Sequence, residues 1–286
     1  MTGMRAGARQ AATALKRETP KVMETSQSLA PDAHDCVSEI HTQLRNYWDA
    51  DAPTYDRSPK HVPHSAAQRA AWTAALLRHM PPPPARVVEV GAGTGFLSVI
   101  LAEFGYQVTA VDFSSRMLEI LRAKAVRAAV GIEIIESAAE TPPPGPFDVV
   151  VERMLLWTLP DPAGALEAWK AVAPRGRLLS FGRLWAGDRL EAACERSRGI
   201  VWRLRHEPPE HHAPYPASFW ESNGRVRPHP EYVVEVIERA GWHGVRLERL
   251  RDVEWAQALT TPIPLRLLGM PPEFAVVADA LVDAPR

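Results

Sequence analysis

"VVEVGAGTGFLSVILAEFGYQVTAVDF" (residues 87–113) sets three glycines, Gly91, Gly93 and Gly95, at alternate positions between two apolar runs, and the second run ends on a carboxylate, Asp112. The run before the glycines is short, β-branched and apolar on successive residues, which predicts a strand over 86–90 buried on both faces. A glycine-rich turn from strand to helix lets a ligand approach the main chain closely and meet the helix N-terminus. A helix over 96–104 follows, with Gly105 as its stop, and then a second strand over 107–112. The dinucleotide fingerprint G-x-G-x-x-G would need glycine at position 96, which is Phe96. A nicotinamide-binding reading is thereby disfavoured but stays open.

The same beat repeats downstream. Ser114 opens the amphipathic stretch "SSRMLEILRAKAVRAA", "IEIIES" (132–137) predicts strand three and "FDVVVERM" (147–154) strand four. Asp161 and Pro162 supply a cap and a first-turn proline to "AGALEAWKAV", and "GRLLSFGR" (176–183) predicts strand five. A helix over 230–241 and a strand over 244–255 complete the pattern. Upstream, Ser65 caps a helix that stops at Pro81–Pro84. Alternation of this kind builds an α/β fold, a doubly wound, mostly parallel sheet with right-handed crossovers. Such sheets bind ligands beyond the carboxyl ends of their strands, where the glycine turn and Asp112 fall. Residues 185–228 are too long for a crossover loop and too short for a core of their own, and are read as an inserted lid.

The chain has 286 residues, 46% of them hydrophobic, and a formal charge of −1. Those figures suit one elaborated domain and give no global field toward nucleic acid or an anionic membrane. Two cysteines, Cys36 and Cys194, make no disulfide framework or zinc pattern, so no metal is expected. With no apolar run of transmembrane length, a soluble, cytoplasmic setting is the expectation. Residues 1–40 carry Arg5, Arg9, Lys16 and Arg17 before the first acid, Glu18. They are read as a disordered tail rather than an organelle transit peptide. The domain proper is expected over 41–286.

"VVEVGAGTG" followed by "VTAVDFSSRMLEILRAKA" resembles motif I and the acidic second strand of class I S-adenosylmethionine-dependent methyltransferases, and "FDVVVERMLLWTLPDP" resembles their fourth-strand motif. The likeness runs from about Tyr47 to Arg183 and resumes near His229. It implies that Gly91, Gly93 and Gly95 lie against the methionine part of the cofactor and that Asp112 takes the ribose hydroxyls. Met117 is then expected to pack on the adenine. Glu89 either orients the turn or reaches the cofactor's ammonium through water. Relatives place an acid after strand three to take the adenine amino group; here Ala138 stands there. Main-chain groups of Ala138 and Ala139, helped by Glu140, are expected in its place. "YWDADAPTYD" (47–56), within a cover segment at 41–64, resembles the stretch that closes over the cofactor in small-molecule members. Tyr47 and Tyr55 are read there as lid residues over the sulfonium, with ordinary packing as the alternative.

Methyl transfer is a direct displacement that needs alignment and dry surroundings, so no catalytic dyad has to show in the sequence. Candidate bases are His206, His211 and His212 in the insert and His61 and His64 before the first long helix, with His211 and His212 preferred. Arg153 points to the acceptor side in relatives; the alternative is a salt bridge to Glu152 or another local acid. "VERM" replaces the "DPPY"-like tetrapeptide of DNA amino methylases, which together with the charge argues against nucleic acid. The chain resembles methyltransferases of actinomycete secondary-metabolite and antibiotic pathways, so a small-molecule acceptor is expected, with a homodimer left open. The insert mixes acids (Asp188, Glu191, Glu195, Glu207, Glu210, Glu221) with Trp185, Trp202, Trp220 and Tyr215. That mixture favours N-methylation of an amino sugar. O-methylation of a sugar or aromatic hydroxyl and a nicotinamide-dependent oxidoreductase remain as alternatives.

Overall fold

Val87, Val88, Glu89 and Val90 are all buried, which puts β1 (Arg86–Val90) at the centre of a sheet covered on both faces. The computed structural model describes residues 33–183, 189–204, 211–216, 219 and 229–281. β1 pairs in parallel with β2 (Gln107–Asp112) on one side and β4 (Val149–Arg153) on the other. β3 (Ile132–Glu136) extends the sheet beyond β2, and β5 (Arg177–Arg183) lies parallel beside β4. The order is β3-β2-β1-β4-β5-β7-β6. β7 (Glu273–Asp279) is wedged antiparallel between β5 and β6 (His243–Arg249). Between β1 and β4 the winding reverses, and the carboxyl ends of the strands open there into a crevice.

On one face α2 (Ala66–Leu77), α3 (Phe96–Glu103) and α4 (Ser115–Ala128) pack on the sheet. On the other, α5 (Pro162–Val172) and α7 (Pro230–Arg239) bury Trp169 and Trp242 completely, and each indole N–H donates to a main-chain carbonyl: Trp169 to Ala139, Trp242 to Leu166. Three caps form where the sequence places them. Ser65 accepts from Gln68 N, Ser114 from Met117 N and Asp161 from Gly164 N, each contributing about 1 kcal/mol.

The structure departs from the sequence reading in three places. The first part of the cover segment, residues 41–55, and the last residues assigned to the tail form one long helix, α1 (Ala33–Tyr55). Ile40, Leu44, Tyr47 and Asp51 fall on one buried stripe, and its interruption by an acid, with Pro53 near the end, masks the helical period. The strand expected over 244–255 stops at Arg249, because Leu250, Val253 and Ala256 turn onto the core as part of α8 (Arg251–Thr260). A short α9 (Ile263–Leu267) then leads into β7, which the sequence reading did not include.

Of the insert, α6 (Arg189–Leu204) is helical as its sequence suggests, and Arg198 ties it to the carbonyls of Leu268 and Gly269. The N-terminal 32 residues lie outside the described residues, and so do Trp185, Asp188, His206, Glu207, Glu210, Trp220 and Glu221, together with the side chains of Cys36, Glu191, Glu195 and Trp202. No described helix is long and apolar enough to cross a membrane.

Candidate active site

A cleft of about 750 Å³, continuous with solvent, opens at the carboxyl ends of β1, β2 and β4. The glycine turn forms one wall. Gly91 and Gly93 line it with φ of +65° and +53°. A Cβ on Gly91 would stand 2.8 Å from the Leu155 side chain across the cleft, whereas one on Gly93 would meet nothing within 4 Å. Gly95 is placed differently. With φ of +80° it precedes α3 off the cleft wall, and a Cβ there would lie 2.5 Å from Cγ of Leu121 on α4. Its smallness serves helix packing rather than ligand approach.

Asp112 lies on the wall at the end of β2, 8% exposed. Its Oδ2 accepts from Gly93 N and its Oδ1 from Ser114 N, both at 2.8 Å. Burial lifts its carboxyl to about 6 despite those donors. The carboxylate thus braces the glycine turn against the N-terminus of α4, and each oxygen keeps a second lone pair. Glu89 sits beneath the turn away from the cleft and accepts from Ser98 of α3. Burial pushes its carboxyl up to about 8, with Asp112 adding to the effect. The contact is to α3, the helix that follows the turn.

Met117, Ala138 and Ala139 all line the cleft. Ala139 O is taken by the Trp169 indole and Ala138 O by Thr141. Glu140, also on the wall, is met by His41 of α1 at 3.2 Å, a contact that raises the imidazole pKa. The sequence reading did not single out His41. Its partner is 99 residues away, and only the docking of α1 brings the two together.

Arg153, at the end of β4, makes no bridge to Glu152. Its guanidinium donates to the carbonyls of Lys60 and His61 and lies over Trp72 and Phe96, 4.7 and 5.4 Å from the ring centroids. It lines the cleft, and its buried Nε has no hydrogen-bond partner among the described residues. Glu152 points to the other face, where Ser180 and Leu155 N donate to it and burial lifts it to about 7. A second cavity of about 330 Å³ lies there, separated from the cleft by Met154 and Leu155, which line both. Met154 is held at φ +62°, a left-handed conformation rare outside glycine.

α1 and the insert meet over the cleft in a cluster of rings. Tyr55 lines the cleft and stacks on His61, centroids 3.8 Å apart. Tyr47 does not reach the wall; it stacks on Tyr215 and donates to Ala213 O, fastening the insert to α1. His61 donates from Nδ1 to Tyr55 O, and the His64 ring to Asp56 O. His211 and His212 both turn Nδ1 toward Asp51. Asp56 accepts from Thr94 of the glycine turn and pairs with Lys124 at 2.6 Å, while Asp49 accepts from Ser114. Among the described residues no group of three histidine, cysteine or carboxylate side chains is set to hold a metal ion.

Residues 88–180 match a family model described as a methyltransferase domain. The ubiquinone biosynthesis O-methyltransferase of Xanthomonas campestris pv. campestris (strain B100) is 30% identical over 164 residues, covering 55% of this chain and 64% of that protein. The protein of the same name from Bordetella parapertussis is 38% identical over 104 residues, 35% of this chain and 42% of its own length. The chain thus spans less than two thirds of these curated relatives. Two crystal structures share its fold. Magnesium protoporphyrin IX methyltransferase from Synechocystis PCC 6803, with bound SAM, has a TM-score of 0.54 at 14% identity, over 84% of this chain and 96% of that one. A SAM-dependent methyltransferase from Thermotoga maritima has a TM-score of 0.54 at 16% identity, over 83% and 100%. Strand order, glycine turn, terminal acid of β2 and matched segment agree: residues 88–180 form a methyltransferase domain, set in a fold shared with S-adenosylmethionine-dependent methyltransferases.

Proposed function

We propose that the protein methylates a hydroxyl group on a small aromatic acceptor, with S-adenosylmethionine as the donor. The cleft suits that donor on three counts. Gly93 offers open main chain, Asp112 offers two unspent lone pairs for ribose hydroxyls, and the unpartnered Nε of Arg153 offers a charged donor to an amino-acid carboxylate. The adenine amino group is assigned to Glu140, on the cleft wall, with Met117 packed on the ring. When bound, S-adenosylmethionine supplies a methyl on a positively charged sulfur, which departs as a neutral thioether when the acceptor oxygen takes the carbon.

The chain's own residues align, dry and deprotonate. Tyr55, Trp48 and Leu155 line the cleft with apolar surface that would align the reacting groups, and alignment of this kind is worth up to ~7–11 kcal/mol. A hydroxyl, unlike an amine that has already lost its proton to water, gains from a base at the moment of attack. His211 is assigned that role. The observation that carries the reading is the ring cluster of Trp48, Tyr55, His61, His211 and Tyr215, of which Trp48 and Tyr55 line the cleft and suit a flat, hydroxylated acceptor, with the His211 imidazole packed against Trp48. The curated relatives bear the name of an O-methyltransferase, which leans the same way. The acids that favoured an amino sugar lie outside the described residues or have undescribed side chains, so that preference has no structural support, and the nicotinamide alternative gives way to the methyltransferase domain. The test is purified protein with methyl-labelled donor and parallel panels of phenols, catechols and amino sugars. Label on phenolic oxygen is expected; label on amines alone overturns the assignment. Calorimetry with S-adenosylhomocysteine and with NAD checks the donor.

A further inference from the structure

One carboxylate where α1 meets the insert has no part in the cleft wall. Asp51 is 0% exposed. Its oxygens face Nδ1 of His211 at 2.8 Å, Nδ1 of His212 at 3.0 Å and the main-chain N–H of His212 at 2.7 Å. Burial alone raises a carboxyl's pKa, yet these donors outweigh it and hold Asp51 below the ordinary carboxylate value. An ionised carboxylate can only accept, so the proton at each ring contact belongs to the imidazole Nδ1. In the neutral ring Nε2 is then left as a lone-pair acceptor.

The two imidazoles differ in what lies next to them. Neither forms part of the cleft wall; His212 packs on Tyr47, centroids 4.8 Å apart. His211 is 5.8 Å from Trp48, which lines the cleft, and 5.0 Å from His61, which stacks on the lining Tyr55. Among the described residues, Nε2 of His211 has no hydrogen-bond partner.

We infer that Asp51 is a positioning residue: it holds His211 as the Nδ1–H tautomer and turns Nε2 toward the acceptor's hydroxyl. The inference rests on the hydroxyl-methylation reading above. In the step it serves, the acceptor oxygen forms its bond to carbon, the carbon–sulfur bond breaks with the electron pair going to sulfur, and the hydroxyl proton passes to Nε2. The ring then carries a positive charge, and the carboxylate at Nδ1 is already in place to stabilise it, with no rearrangement needed. Asp51 touches neither donor nor acceptor, and its whole contribution passes through the ring it orients.

Nitrogen-15 spectra of histidine-labelled wild-type protein read the tautomer without any turnover. His211 is expected to show a protonated Nδ1 and a bare Nε2; a protonated Nε2 overturns the inference. In Asp51→Asn the His211 signals should become those of mixed tautomers. The turnover number on a phenolic acceptor should fall about 100-fold or more, the scale of general-base catalysis, while the acceptor KM and S-adenosylhomocysteine affinity stay within about threefold. Asp51→Glu, which keeps the charge, should recover at least about a tenth of the wild-type rate. If Asp51→Asn is as fast as wild type, Asp51 is not positioning a base. If Asp51→Asn fails to bind S-adenosylhomocysteine and so has lost its fold, the wild-type spectra decide. Label transferred to nitrogen instead of oxygen brings down the hydroxyl reading and the proton path with it, an outcome distinct from a fast Asp51→Asn enzyme on a hydroxyl acceptor.

Discussion

Replacing Glu89 by glutamine should stabilise the protein at alkaline pH and do little in acid. Enclosure beneath the glycine turn lifts this carboxyl from 4.5 to about 8, chiefly through burial, with the charge of Asp112 adding to it and Ser98 working against it. A raised native pKa means that the folded chain binds the proton more tightly than the unfolded one. The associated stability is full below pH 4.5, is lost as pH rises from 4.5 to 8, and is level above. A shift of about 3.5 units (8 minus 4.5) corresponds to about 5 kcal/mol at ~1.4 kcal/mol per unit. Most of it, about 4 kcal/mol, falls between pH 5 and pH 9. Glu89→Gln keeps the volume and an acceptor for Ser98 but cannot ionise. Its unfolding free energy relative to wild type should therefore rise by about 4 kcal/mol from pH 5 to pH 9. Loss of the negative charge beside Asp112 adds to the rise, since Asp112 then ionises at lower cost. Urea unfolding of both proteins at the two pH values measures the change. A stability difference that is the same at pH 5 and pH 9 refutes the reasoning, because the carboxyl would then not be held neutral by its enclosure.

Other substitutions separate the roles assigned around the cleft. Asp112→Ala should weaken S-adenosylhomocysteine binding by about 1.5–3 kcal/mol in calorimetry, the scale of a hydrogen bond to a charged group; unchanged affinity means the ribose contact is misplaced. Gly95→Ala should cost more than about 1 kcal/mol of stability, given its positive φ and the Leu121 side chain against it, with little effect on affinity. Gly93→Ala should cost about 1 kcal/mol of stability for its positive φ and, unlike Gly95→Ala, should also lower S-adenosylhomocysteine affinity in calorimetry, because its space opens onto the cleft. Trp169→Phe should destabilise by about 1–3 kcal/mol, as Ala139 O loses its buried donor, a loss that thermal melts will detect.

What was legible in the sequence is what is local. The turn from β1 into α3, the acid ending β2 and the caps of α2, α4 and α5 are each decided within a few residues, and the sequence reading placed them. "GVRLERLRDVEW" misled because its alternating apolar residues continue past Arg249, while Leu250, Val253 and Ala256 had already changed to a helical spacing. β7 escaped because a strand set antiparallel into a parallel sheet leaves no mark on the residues that form it. In the site, Gly91, Gly93, Asp112 and Met117 belong to one contiguous strand-turn-helix unit and could be read together. Asp51 with His211 and His41 with Glu140 could not, since these partners lie 160 and 99 residues apart and meet only in the finished fold. The histidines of the insert drew notice as a residue type; the buried acid that orients them sat unmarked in "YWDADAPTYD".

α1 precedes every described strand in the chain, yet the polar ties that dock it reach partners supplied later: Ser114, Glu140, His211 and Ala213. During synthesis these residues leave the ribosome before the sheet does and must wait for it before they have these partners to hold. Until α1 docks, the ring cluster and the oriented imidazole do not exist. Loosening α1 would abolish the roof while leaving the seven-stranded sheet intact, so the protein can be folded by most measures and still lack its working site.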